Sequence, residues 1–170
     1  MVCDYCSALQ QKELIVFQDD QLAILFHPQP ALKGHLLVIP KEHCPILEQV
    51  SHDVVASMFV HANKASLLLF EQLEAKGVNL LIQNGISAGQ KTPHTAIEVI
   101  PRFFHDGLEL SWDTKTLTEE DMNLMENKLK EEAENIILPV ENAPQQKNEE
   151  SLPLAMPEEN YLIKHLRRIP

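Results

Sequence analysis

The sequence is short of the residues that build fibres, disulfide scaffolds and basic surfaces. Its 170 residues include 5 glycines, 3 cysteines, 1 tryptophan and 2 tyrosines, and 14 Lys and Arg stand against 25 Asp and Glu. So few glycines, with no internal repeat, exclude a fibrous chain, and 44% hydrophobic with 23% charged residues excludes a wholly disordered one. The formal charge of −11 at pH 7 argues against a nucleic acid partner, because a phosphate backbone calls for a broad basic surface. A small anionic ligand, neutralised locally, is compatible with that charge. The longest apolar runs, Ser66 to Phe70 and Gly77 to Ile82, fall far below the roughly 20 residues of a membrane span, so no membrane is expected as a partner. No basic start followed by an apolar core opens the chain, which predicts no secretory signal and a cytoplasmic location. With Cys3 and Cys6 in a C-x-x-C and Cys44 alone, the thiols suit metal binding or redox chemistry in a reducing compartment better than disulfides.

The length predicts one domain with a tail. Glu13 to Phe17 and Leu22 to Phe26 are short and β-rich, and Gln18-Asp19-Asp20 between them suits a tight turn, which predicts a hairpin. Pro28 and Pro30 cannot sit in a central strand, so a loop leads to a third strand, His35 to Ile39. Ser51 is a candidate N-cap for the main helix, whose apolar residues from Val54 to Leu73 recur at helical spacing until Gly77 offers a stop. Val78 to Ile82 and His94 to Ile100 read as further strands around a glycine-bearing loop from Asn84 to Gln90. The expected fold is α+β, a five-stranded antiparallel sheet with one main helix. Met122, Met125, Leu129, Ala133 and Ile136 give a C-terminal helix that should close a domain of residues 1–136. Trp112 is expected to anchor packing. Residues 137–158, acidic and proline-rich, read as a linker, and 159–170, apolar and basic, as a segment that docks on its own domain or on a protein partner.

An extended strand over His94 to Ile100 would place His94, Ala96, Glu98 and Ile100 on one face and Thr95, Ile97 and Val99 on the core face. Beside that first face, Gly85 and Gly89 let backbone amides approach an anion. Here the chain resembles the histidine-triad (HIT) family of nucleotide hydrolases and transferases. Gly34-His35-Leu36-Leu37-Val38-Ile39-Pro40-Lys41-Glu42-His43 is similar to the family's G-H-x-L-V-I-P-K-x-H strand. Asn84-Gly85, Gly89-Gln90 and the stretch Pro93 to Arg102 resemble its signature of glycine loop and triad strand, and Cys3-x-x-Cys6 recurs in the family.

The resemblance implies a dimer with a continuous sheet and a purine nucleotide or nucleotide-like ligand, bound at its α-phosphate by the triad strand. In active members the middle histidine attacks that phosphate; here the triad positions are His94, Ala96 and Glu98. A methyl group has no lone pair, so the family's covalent nucleotidyl-histidine catalysis is not expected. The resemblance places nucleotide-binding positions at His27, His35, Gln83, Gly89, Gln90, Lys91 and Thr92. Three of these depart from the family's pattern: His27 stands where it has a ribose-contacting Asp, Gln83 where it has Asn, and Lys91 where it has a leaving-group hydroxyl. It also implies a structural zinc held by Cys3, Cys6, His43 and His94, a closed set without an open coordination position. Two other functions are consistent with these residues: hydrolysis by a water that Glu98 activates, and a zinc-stapled scaffold that acts through partners.

Overall fold

The computed structural model describes residues 3–137, so the docking segment 159–170 and all but the first residue of the expected linker lie outside the described residues. The chain divides into two compact units, the first ending at Leu108 and the second beginning at Glu109. In the first unit a short helix α1 (Asp4–Ala8) precedes strands β1 (Ile15–Gln18), β2 (Leu22–Phe26) and β3 (Leu36–Pro40). The main helix α2 (His52–Leu73) and strands β4 (Gly77–Leu81) and β5 (Ile97–Arg102) complete it. The strands form one antiparallel sheet in the order β1-β2-β3-β5-β4.

Both faces of the sheet centre are covered, which is why β2 and β3 read as continuous apolar runs instead of alternating ones. Leu22, Ile24, Leu36, Val38, Ile97 and Val99 pack under Met58, Ala62, Ala65 and Leu69 of α2. The last four are spaced to share one side of a helix. Ala23, Leu25, Leu37 and Ile39 face the other way and pack with Cys3, Tyr5 and Ala8 around α1. Gly34, with φ +89°, permits the loop before β3 to cross the end of α2, where a Cβ would come within 2.4 Å of Leu73.

The edge strand β4 is pinned to β5 by Arg102. Its guanidinium donates to both carboxylate oxygens of Asp106, at 2.7 and 2.9 Å, to Asn79 Oδ1 at 2.7 Å and to the Leu108 carbonyl. Asp106 also accepts from the backbone N–H groups of Phe103 and Leu108, and together these donors, Arg102 foremost, hold its carboxyl well below the usual range.

Three expectations need correction. The last strand begins at Ile97, not His94, because the Thr95 amide donates to the Cys44 carbonyl and the His94 amide to Thr92, so residues 94–96 run as a loop. Helix α2 stops at Leu73, with Glu74 in the left-handed conformation at φ 52°, while Gly77 opens β4. The helix α3 (Glu119–Ile137) forms as expected and belongs to the second unit. Trp112 is 84% exposed, not a packing anchor. Helix α1 was not expected at all, since 5 residues are too few to show a helical period.

Candidate functional site

A cleft of about 630 Å³ opens on the α1 side of the sheet. His27 and His35 line it from the segment between β2 and β3, Gln83, Gln90, Lys91 and Thr92 from the loop after β4, His94 and Ala96 from the approach to β5, and Glu98 from β5 itself. Of the nucleotide-binding positions expected from sequence, only Gly89 is not on its wall. Sequence reasoning missed the opposite wall, where α1 contributes Asp4, Tyr5, Ser7 and Ala8. The one signal was a tyrosine set between two cysteines.

Hydrogen bonding fixes the protons on two cleft imidazoles. His35 Nδ1 accepts from the Ala31 amide at 3.1 Å, so its proton sits on Nε2, a buried nitrogen 3.5 Å from Glu98 Oε2 without a hydrogen bond of its own. His27 Nδ1 accepts from the Gln29 amide at 2.9 Å, leaving Nε2–H near the Tyr5 hydroxyl at 3.4 Å. The two rings stack with centroids 4.5 Å apart. Burial, then the neighbouring His35, holds His27 below the usual imidazole range, which keeps it neutral. Burial, with the charge of Glu98 next, pushes the Tyr5 phenol up to about 12, so it keeps its proton. The cleft therefore offers N–H and O–H donors from His27, His35 and Tyr5, the Lys91 side chain, and two carboxylates, Asp4 on α1 and Glu98 beside the Ala96 methyl.

The glycine loop is organised around Gln90, whose amide group is spent inside the protein. Its Nε2 donates to the carbonyls of Pro45 and Thr92, and its Oε1 accepts from the Gly85 amide at 2.7 Å. The backbone amides of Ala88, Gly89 and Gln90 likewise donate to Gly85 or Ile86 within the loop. Gly89 takes φ +88°, and a Cβ there would lie 2.5 Å from Gln83 Nε2, which donates to the Ala88 carbonyl. These groups shape the wall and aim Lys91 and Thr92, the loop residues beyond them.

On the far side of α1, four side chains converge. One ligand atom from each of Cys3, Cys6, His43 and His94 lies within 4.8 Å of all the others. Three S···N separations are 3.4 to 3.5 Å: Cys3 and Cys6 each to His94 Nδ1, and Cys6 to His43 Nδ1. Zinc bonds of about 2.3 Å to sulfur and 2.0 to 2.1 Å to nitrogen put the S···N edge of a tetrahedron at about 3.5 Å, so the donor set fits that ion. His94 Nε2–H donates to the Pro40 carbonyl at 2.9 Å, which frees Nδ1 as a lone pair toward the sulfurs, the outer contact that orients a histidine ligand. Burial holds His94 below the usual imidazole range, and burial and Cys3 push the Cys6 thiol up, so without a cation the Cys6 thiol opposes ionisation.

A profile described as the HIT domain matches residues 8–105. Adenylylsulfatase HINT3 of Arabidopsis thaliana is 32% identical over 124 residues, 72% of this chain and 61% of that protein. The asymmetrical bis(5'-nucleosyl)-tetraphosphatase of Schizosaccharomyces pombe is 33% identical over 51% of this chain and 48% of its own length. The chain thus spans about half to three fifths of these two relatives. Among solved structures, a member of the HIT family from Bacillus subtilis superposes with a TM-score of 0.68 at 25% identity, covering 77% of this chain and 96% of that one. A zinc-bound histidine-triad protein from Mycobacterium smegmatis gives 0.58 at 28% identity, covering 77% and 95%.

Proposed function

The chain belongs to the HIT-domain family, and from that premise we propose that it is a nucleotide-binding protein that does not use the family's covalent nucleotidyl-histidine route. The observation that carries the reading is Ala96 on the wall of the cleft, between His94 and Glu98. A nucleophile must offer an electron pair to phosphorus, and a methyl group has none. Binding is supported by what surrounds it: Lys91, Thr92 and the N–H donors of His27 and His35 suit the phosphate end of a nucleotide, and relatives are named for nucleotide substrates. His94, the first triad position, is assigned to a structural zinc with Cys3, Cys6 and His43, which explains a histidine here without a nucleophile. We place the protein in the cytoplasm, where thiols stay reduced, and as a homodimer, the family's usual state.

One observation favours a second reading. The His35 Nε2–H faces Glu98 Oε2 at 3.5 Å, an arrangement that would orient the carboxylate as a base toward a water and allow slow direct hydrolysis. The experiment that separates the two combines a thermal shift with adenosine monophosphate and a turnover assay on adenosine phosphoramidates and dinucleoside polyphosphates. We expect ligand at a hundred times its Kd to stabilise the protein by about 2.7 kcal/mol. Turnover should be absent in the wild type and appear in Ala96→His. Wild-type turnover that disappears in Glu98→Gln would replace the binding reading with direct hydrolysis. No thermal shift with any nucleotide would leave the scaffold function.

A further inference from the structure

Helix α3 carries an apolar stripe with no partner assigned. Met122, Met125, Leu129 and Ile136 are 53, 51, 70 and 79% exposed. At 100° per residue they fall within an arc of about 60°. The rest of the helix is acidic: residues 119–137 hold seven carboxylates against two lysines, so this one element carries nearly half of the chain's net charge of −11. A helix this charged gains little by burying the stripe against another copy of itself, because the two would repel. The complement is a sequence that is apolar and basic at once.

Residues 160–170 have that character. Leu162, Leu166 and Ile169 recur at the i, i+4, i+7 spacing that gathers side chains on one helical face, and Lys164, Arg167 and Arg168 accompany them with no Asp or Glu. We infer that this segment docks along the Met122-Met125-Leu129-Ile136 stripe of its own chain, its cations set against the flanking carboxylates of α3. The connection has the reach. A flexible stretch the length of residues 138–159 has a root-mean-square span of about 25 Å. The 19 residues of α3 extend about 28 Å at 1.5 Å each, so the segment can fold back over any part of the stripe. A tether of that length gives an effective concentration of order millimolar, which favours the same chain over a second copy at micromolar protein.

The test uses the full-length chain with a benzophenone amino acid in place of Leu166, photolysed as a mixture of ¹⁴N- and ¹⁵N-labelled protein and mapped by mass spectrometry. The expected result is cross-links to residues 122–136 joining peptides of one isotope. Leu129→Glu, on the exposed stripe, should abolish them, and 1 M NaCl should weaken them by screening the charge pairing. Amides of residues 122–133 should exchange faster when Leu166→Glu and Ile169→Glu are introduced together. Mixed-isotope cross-links would replace the proposal with docking between copies. Cross-links confined to residues 3–108, or none at all, would overturn it. No nucleotide enters the experiment, so its outcome is independent of the reading of the cleft.

Discussion

Gly89 shows how much one hydrogen atom in place of a methyl group can matter. At φ +88° an L side chain is strained, and its Cβ would press on Gln83 Nε2 at 2.5 Å, so Gly89→Ala must both twist the backbone and break the Gln83 hydrogen bond to Ala88. We expect a loss of about 1 to 3 kcal/mol, read as a fall of several degrees in Tm, with weaker nucleotide binding because Lys91 and Thr92 shift. Asp106 gives a prediction in pH. A carboxyl whose folded pKa lies below its unfolded value of about 3.9 contributes stability that is fully present above that value and drains away as pH falls through the folded one. Asp106→Asn should therefore lower stability at neutral pH and flatten the acid limb of a Tm against pH curve, and an unchanged limb would refute the assignment. The cysteines and histidines that converge were brought together in the sequence by the family resemblance and not by spacing, since Cys3 and His94 are 91 positions apart. Gln90 was less legible. A glutamine in a glycine loop can point at a ligand or at its own backbone, and only the positions of the Pro45 and Thr92 carbonyls show the second. The proton positions on His27 and His35 were equally out of reach, since backbone amides two and four residues away set them.

At the scale of elements, the strands and α2 could be read from apolar pattern, and their ends could not. Helix α2 ends where Glu74 turns left-handed, before any glycine. Glu74→Gly should relieve that strain and stabilise the first unit by about 1 kcal/mol, measurable by denaturant titration; no gain would mean that the Glu74 side chain compensates for its backbone. The triad strand begins three residues later than its alternation suggested, because a tertiary contact, Thr95 to the Cys44 carbonyl, removes residues 94–96 from the ladder. Alternation still holds across that boundary: Thr95, Ile97 and Val99 are buried, while Ala96 and Glu98 reach the cleft. The pattern survived because facing is local, and the boundary did not because pairing is long-range. Helix α1 lies beyond both signals, since its two sides are recruited by the sheet and by the converging thiols and not by any periodicity of its own.

At the scale of the whole molecule, the sheet and α2 make a unit that the sequence pattern announced, and the family resemblance extended that reading to the cleft. Helix α3 has the amphipathic spacing of a helix that belongs to a core, while its stripe is exposed. Among the described residues no helix is long and apolar enough to cross a membrane. The short helix α1 has one further consequence. Cys3 and Cys6 converge with His43 and His94 while Tyr5, between them, lines the cleft, so whatever fixes one side of these few residues is felt on the other. Coupling between two sites is reciprocal by thermodynamic necessity. The factor by which loss of zinc to a chelator weakens nucleotide binding should equal the factor by which nucleotide tightens zinc binding at equilibrium, two numbers obtainable by separate titrations. A ratio of one in both would mean that α1 is held in place by Tyr5 and Ala8 alone. A ratio above one would make the supply of a metal ion, which takes no part in binding the nucleotide, a control on how much nucleotide the protein retains.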